Sequence, residues 1–368
     1  MSIDEQIFRR VLTFIHRPVH EDFEALALEV FRYQFESVRP YRRFCEQRGV
    51  NPSAVRRVDD IPAVSNVAFK YADLSIDDAA SSPGALVFLT SGTTEGRERR
   101  GRHIVPRPEI YRVSALAHLR AMLFPDERPL AMLALHPGAD AMSESSLARM
   151  IGWCVEEFGT GVELVAASRD RVDTGATIRF LAQAEATRDP VSILGTTAAF
   201  AAVFSDLRER GAKYRLAKGS RMMDTGGAKG QATPLRAHEV IDAAGELLAI
   251  PPAMVVNEYG MTELCSQLYD ATPLNSPGAT DAIERLKIPP PWLRVTARNP
   301  VTLMPVADGK LGMLTFFDLA NVGSVSAVMT EDLGCVQAGR VRILGRGAAI
   351  EARGCALGIG QFSAEVSL

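Results

Sequence analysis

Four short stretches of this chain hold residues whose types and spacing could do chemistry together. The first is LTSGTTEGR, residues 89–97, where an apolar run ends in small hydroxyl residues and glycines. A loop of that kind turns several backbone N–H groups and hydroxyls toward one point, which suits phosphate oxygens and equally a plain turn between elements. It lacks the G-x-x-x-x-G-K-[ST] spacing of the other large class of nucleotide-binding loops. Downstream, Arg97, Arg99, Arg100, Arg102 and Arg107 outnumber Glu95 and Glu98, an excess that fits a polyphosphate or a solvated face. The second stretch, NEYGMTE at 257–263, offers an aromatic face for a base at Tyr259, a hydroxyl for phosphate at Thr262 and a carboxylate for magnesium at Glu263. In the third, TEDLG at 330–334, Asp332 could accept hydrogen bonds from ribose hydroxyls; the fourth is the pair Gly345–Arg346. D-x-G and G-R pieces are also ordinary turn chemistry.

The elements that must position these residues can be read from periodicity. Phe8, Val11, Leu12 and Ile15, then Phe23, Leu26, Val30 and Phe31, recur at helical spacing and predict an N-terminal helical part over 1–85. Over 86–290, apolar runs LVFL (86–89), LAMLAL (130–135), VELVA (162–166) and VSIL (191–194) alternate with amphipathic stretches at 108–124, 145–158, 174–187 and 235–249. That alternation predicts an α/β core with a mostly parallel sheet flanked by helices on both faces. Over 291–368, WLRVTA, KLGMLTFF, SVSAVMT and GRVRIL predict a small β-rich subdomain with a short tail carrying Cys355. Asn275–Pro291, with four prolines, reads as a boundary or a mobile loop.

Composition excludes several classes. The 368 residues are 47% hydrophobic and 23% charged, an ordinary globular balance and not that of a disordered chain. Lysine and arginine number 41 against 44 acids, so no basic excess points to nucleic acid. No apolar run is long enough to span a membrane, and the first twenty residues mix acids and arginines unlike a signal peptide; a cytoplasmic location is expected. Five cysteines (Cys45, Cys154, Cys265, Cys335, Cys355) with no C-x-x-C pair argue against a disulfide framework or a zinc cage.

Taken in order, the four stretches make the sequence resemble the adenylate-forming superfamily of acyl and aryl acid ligases. Its marks are a T-S-G-T-T-G-type loop, then Y-G-x-T-E, an Asp in a T-x-D context and a G-R pair. The resemblance covers about residues 85–355 and implies a large adenylate-forming-type core that uses ATP and Mg²⁺. It implies that Ser91, Gly92, Thr93 and Thr94 embrace the β- and γ-phosphates, that Gly226 and Gly227 lie near the adenine, and that Tyr259 stacks on it. By the same carry-over Thr262 binds the α-phosphate, Glu263 holds Mg²⁺, and Asp332 with Arg346 fixes the ribose. Glu95 interrupts the loop, and Arg97 stands where a lysine is usual, keeping the charge with a different geometry. Typical members continue from the G-R pair into a mobile domain with a catalytic lysine. Residues 347–368 contain no lysine, so no full mobile C-terminal domain is expected.

One branch is similar in this respect: the acyl-protein synthetases of bacterial fatty-acid reductase complexes. The shared wording is D-T-G-G-x-K-G, T-E-D-L-G and an ending G-R…E-x-R-G-C, matched here by DTGGAKG, TEDLG and GRGAAIEARGC (345–355). The resemblance implies that Cys355 takes the acyl group as a thioester and passes it to an acceptor protein, a reductase subunit or an acyl carrier protein. A thiol beside Arg353 on a glycine-flanked segment is chemically suited to that role. The expected activity is thus ATP-dependent, AMP-forming acyl-protein synthesis on a small-molecule carboxylic acid, either fatty or aromatic. Three alternatives stay open: an acyltransferase that loads Cys355 from acyl-CoA, a ligase serving free CoA with Cys355 structural, and a non-enzymatic docking subunit. Nearby residues have plain readings as well. His136 in LALHPG is a polar loop residue or a group near the carboxylate; Cys265 packs; Cys335 competes with Cys355 as acceptor; Met222, Met223, Met254, Trp153 and Trp292 are interior packing.

Overall fold

The N-terminal apolar spacing forms helices: α1 (Ile3–His16) buries Ile7, Phe8, Val11, Phe14 and Ile15 along one side, followed by α2 (Phe23–Ser37) and α3 (Arg39–Gln47). The computed structural model describes residues 3–18, 23–90, 100–169, 171–226, 235–276 and 285–346. Next come β1 (Val64–Ser65), β2 (Leu86–Leu89), β3 (Arg102–Val105) and α4 (Pro108–Leu123). The alternating region supplies β4 (Leu130–Leu135), α5 (Ser146–Phe158), β5 (Gly159–Val165), α6 (Thr174–Thr187), β6 (Val191–Thr196) and α7 (Thr197–Glu209). It ends with β7 (Arg221–Thr225), α8 (Ala237–Leu248), β8 (Val255–Tyr259) and β9 (Leu268–Asp270). The last elements are β10 (Lys287–Ile288), β11 (Leu293–Arg298), β12 (Leu311–Asp318), β13 (Ala327–Gln337) and β14 (Arg340–Arg346).

The chain divides into two compact units: residues 1–117, 261–267 and 286–368 form the first, and 118–260 with 268–285 the second. In the second unit the strands run in the order β9-β8-β7-β6-β4-β5. All neighbours are parallel except the β8–β9 pair. β6 and β7 are buried almost throughout, as strands covered on both faces must be. Their core includes Leu133, Ile193, Phe200, Phe204, Met222 and Leu247. Side-chain caps start the crossover helices: Ser145 accepts from Ala148 N, Asp173 from Ala176 N and Thr196 from Ala199 N. At the foot of β7, fully buried Arg221 is held by both carboxylate oxygens of Asp126 at 2.9 and 2.7 Å and by the Leu123 carbonyl.

The first unit holds an antiparallel array in the order β11-β12-β13-β14-β10, with β1 added parallel to β13. Gln34 of α2 is buried against this array; its amide donates to the Asn321 and Val322 carbonyls and accepts from Ser326 N. One expectation is corrected here. LVFL, read as a member of the parallel set, is β2 and pairs antiparallel with β3 in a separate two-stranded sheet. An apolar run of four cannot reveal its pairing partner, because hydrophobicity records burial and not strand direction.

Both glycines of the C-terminal motifs have backbone reasons. Gly345 has φ +87°, a conformation costly for any residue with a Cβ. Gly334 lies where the β13–β14 register shifts, and a Cβ there would run into the Arg342 carbonyl. Gly334→Ala should therefore lower stability by about 1–3 kcal/mol, read as a shift of the denaturant midpoint at unchanged slope.

Candidate functional site

In the second unit, the carboxyl ends of three parallel strands line up. Thr196 of β6 pairs with Thr225 of β7, and Asp224 and Thr225 pair with Asn257 and Glu258 of β8. Ligands of open parallel sheets bind beyond such ends. Here the polar groups hold one another. The Thr197 hydroxyl donates to Asp224 Oδ2 at 2.9 Å, the Asn257 amide donates to the same oxygen at 2.9 Å, and the Thr225 hydroxyl donates to Glu258. Asp224, Thr225 and Glu258 are buried, whereas Gly226 is exposed, and a Cβ built on Gly226 would meet nothing within 4 Å. Half-buried Tyr259 follows Glu258. Exposed Gly226 and half-buried Tyr259 stand beside these buried groups; with Gly227 they are the residues that the family resemblance places at the adenine. At the end of β4, His136 Nδ1 donates to the Pro137 carbonyl at 2.9 Å, and burial holds its pKa below the usual histidine value.

In the first unit the segment 261–267 is pinned at four points. His103 of β3 donates from Nδ1 to the Thr262 carbonyl at 2.6 Å, and Asn321 donates from Nδ2 to the Glu263 carbonyl at 2.8 Å. Asp318 at the end of β12 accepts from the Cys265 amide at 2.9 Å and the Ser266 hydroxyl at 2.7 Å. A relay of donors continues outward, with Ser114 Oγ 3.1 Å from Ser266 Oγ and the Trp292 indole donating to Ser114 at 2.8 Å. Trp292 is therefore more than packing. His103 is enclosed, and burial lowers its pKa to about 4, so the ring is neutral near pH 7. Asp318 is equally enclosed, and burial raises its pKa to about 6 against the pull of its donors.

Thr262 and Glu263 are adjacent in this pinned segment, Thr262 half-buried and Glu263 buried. A hydroxyl beside a carboxylate is a donor set that fits a phosphate oxygen and a Mg²⁺ ion, which takes one or two protein carboxylates with substrate phosphates and water. Among the described residues no cluster of three or more His, Cys, Asp or Glu side chains forms a protein-only metal cage. Asp332 and Arg346 stand opposite each other on β13 and β14, and Arg346 lies 3.9 Å from Glu331. The neck of the first motif is closed, with Thr90 N donating to the Gly101 carbonyl and Arg100 donating to the Thr90 and Leu89 carbonyls. Ser91, Gly92, Thr93, Thr94, Gly227 and Cys355 lie outside the described residues. Sequence reasoning missed His103, Asp318 and Asn321. Asp318 gave one usable signal, an acid closing the apolar strand LGMLTFF.

A family model described as acyl-protein synthetase, LuxE, matches residues 3–363. The chain is 21% identical over 334 residues to a long-chain-fatty-acid–luciferin-component ligase of Aliivibrio fischeri, covering 89% of this chain and 84% of the relative. It is 22% identical over 346 residues to the protein of the same name from Vibrio harveyi, covering 90% and 85%. A solved structure of 2-hydroxyisobutyryl-CoA ligase in complex with 2-HIB-AMP and CoA superposes with a TM-score of 0.63 at 16% identity, over 94% of this chain and 69% of the ligase. Another structure of that ligase, in an open conformation, gives 0.61 at 16% identity over 87% and 73%. The fold is that of these adenylate-forming ligases.

Because Asp318 binds its proton more tightly folded than unfolded, its contribution to stability is full below about pH 4 and is lost as pH rises through about 6. The stability difference between the wild type and Asp318→Asn, from urea unfolding across that window, should move against the wild type by about 3 kcal/mol as pH rises. A difference that stays flat would show that Asp318 is ionised throughout.

Proposed function

The chain belongs to the LuxE acyl-protein synthetase family, and on that footing we propose that it activates a carboxylic acid with ATP, holds the acyl group as a thioester on Cys355 and delivers it to an acceptor protein. A fatty acid is the first substrate to test, because the relatives from Aliivibrio fischeri and Vibrio harveyi are named for long-chain fatty acids. The observation that carries the reading is the pinned segment holding Thr262 beside Glu263 within an adenylate-forming fold.

In the first step a carboxylate oxygen attacks the α-phosphorus, the bond to the bridging oxygen breaks, and pyrophosphate leaves. Negative charge grows on the α-phosphate, where the Thr262 hydroxyl is the assigned donor. Ser91, Gly92, Thr93 and Thr94 take the β- and γ-phosphates, Gly226, Gly227 and Tyr259 the adenine, and Asp332 with Arg346 the ribose. Mg²⁺, held through Glu263, would neutralise charge on the phosphates. In the second step the Cys355 thiolate attacks the acyl carbon, the anhydride C–O bond breaks, and AMP leaves. The thioester then passes to a nucleophile on a reductase subunit or acyl carrier protein.

Carboxylate-dependent exchange of labelled pyrophosphate into ATP should be measurable with the isolated protein. Asp332→Ala should weaken ATP binding by about 1.5–3 kcal/mol in a calorimetric titration, the range for charge-assisted bonds. Thr262→Ala should lower the exchange rate more than ATP affinity, since its bond strengthens as charge develops.

Cys355→Ser should leave exchange near wild type and abolish transfer to an acceptor, because a serine hydroxyl is scarcely ionised at neutral pH. Intact mass should show one acyl group on the wild type, mapped to residue 355 and removed by neutral hydroxylamine. Labelling from acyl-CoA with no exchange for any acid would replace this reading with the acyltransferase.

A further inference from the structure

Two consecutive peptide groups of the pinned segment are held by side chains, and they flank one residue. The Thr262 carbonyl belongs to the peptide plane between 262 and 263, and the Glu263 carbonyl to the plane between 263 and 264. His103 holds the first and Asn321 the second. With both planes fixed, the two backbone dihedrals of Glu263 are fixed, and so is the direction in which its side chain leaves the backbone.

We propose that His103 is a positioning residue for adenylation, which together with Asn321 sets where the Glu263 carboxylate and Thr262 hydroxyl are presented and does not itself touch substrate. The inference rests on the assignment of Thr262 and Glu263 to the α-phosphate and Mg²⁺. Several features single out this bond. The ring is 1% exposed and packs edge-on to Phe69, with centroids 5.8 Å apart. Its partner is a carbonyl, so Nδ1 carries the proton and the tautomer is fixed. Nε2 makes no hydrogen bond among the described residues, nor does Asn321 Oδ1. The Asn321 amide cannot turn to help, because Nδ2 is committed to the Glu263 carbonyl and to the Val325 carbonyl at 3.1 Å. Burying an imidazole with one nitrogen unsatisfied gives little net stability. What the ring provides is a fixed Thr262 carbonyl.

The test compares His103→Asn, whose amide donor falls near the position of Nδ1, with His103→Gln, whose donor falls near Nε2 and misses the Thr262 carbonyl. Both are measured beside the wild type in pyrophosphate exchange at varied ATP and Mg²⁺, and by hydrogen exchange of the 261–267 peptide without nucleotide. His103→Gln should lower the exchange kcat by about 10- to 100-fold, leave the KM for ATP within about threefold, raise the Mg²⁺ needed for half-maximal rate and speed hydrogen exchange in the peptide. His103→Asn should recover kcat to within about fivefold of wild type and restore the peptide's protection. If His103→Gln keeps wild-type kcat and Mg²⁺ dependence, or if the Asn variant does no better than Gln, the positioning role is overturned while adenylation stands. A wild type with no acid-dependent exchange overturns the adenylation assignment, and this role with it. Should the Gln variant not fold, Asn321→Ala removes the second anchor and must produce the same Mg²⁺ shift; an unchanged Mg²⁺ requirement there also overturns the proposal.

Discussion

A fully buried carboxylate, Asp318, accepts hydrogen bonds from the Cys265 amide, the Ser266 hydroxyl and the Ala320 amide. Moving a charge out of water is expensive, and three donors offset much of that cost without removing it, which is why its pKa stays raised. One side chain thereby joins the end of β12, the turn that carries Asn321 and the segment that carries Thr262 and Glu263. The position of the segment then depends on the register of β12, which β11 and β13 set on either side. A slip in that array would move Asp318 and Asn321 together and carry two anchors of the segment with them.

The second unit uses the same device with different residues. Asp224 takes donors from Thr197 and Asn257, and Thr225 bonds Glu258, so the ends of β6, β7 and β8 are tied to one another. A carboxylate placed at a strand end and saturated from within is a poor ligand but a stiff support. In the second unit the buried acids hold side chains at the strand ends, and Gly226 and Tyr259 follow them in sequence; in the first, Asp318 holds the Cys265 amide and Ser266 hydroxyl, which follow Thr262 and Glu263 along the pinned segment. Catalysis by fixed dipoles requires such stiffness, since a donor that must reorganise when charge develops stabilises it less.

The sequence made legible whatever is local. Runs such as LAMLAL and VSIL gave β4 and β6 because a parallel strand covered on both faces reads as a near-continuous apolar run. The Y-G-M-T-E wording was visible because its residues are contiguous. LVFL misled because its partner is β3, and nothing in four apolar letters encodes pairing direction. His103, Asp318 and Asn321 stayed hidden for a related reason. Each acts on residues 262–266 from far along the chain: a lone histidine among arginines has no period or spacing to mark it, and the acid closing LGMLTFF does not reveal which segment it holds. The grouping of 261–267 with the N-terminal and C-terminal stretches is likewise a property of contacts and not of composition.

The cysteines show how environment sorts residues that sequence leaves equal. Burial pushes the Cys45 thiol up to about 12 and raises those of Cys154 and Cys265 as well, Cys265 with the Asp318 charge nearby adding to the effect. Only a thiolate opens an acyl anhydride at a useful rate, so a thiol kept protonated and enclosed is a packing residue at neutral pH. Its burial argues against Cys265 as the proposed acyl acceptor, although it lies two residues from Glu263. Its amide holds the segment in place, and the same carboxylate that accepts this amide suppresses its sulfur. Among the described cysteines only Cys335 on β13 is not fully enclosed. For the proposed transfer this leaves Cys335 and Cys355 as candidates, and of these only Cys355 stands in the G-R…E-x-R-G-C context on which the proposal rests.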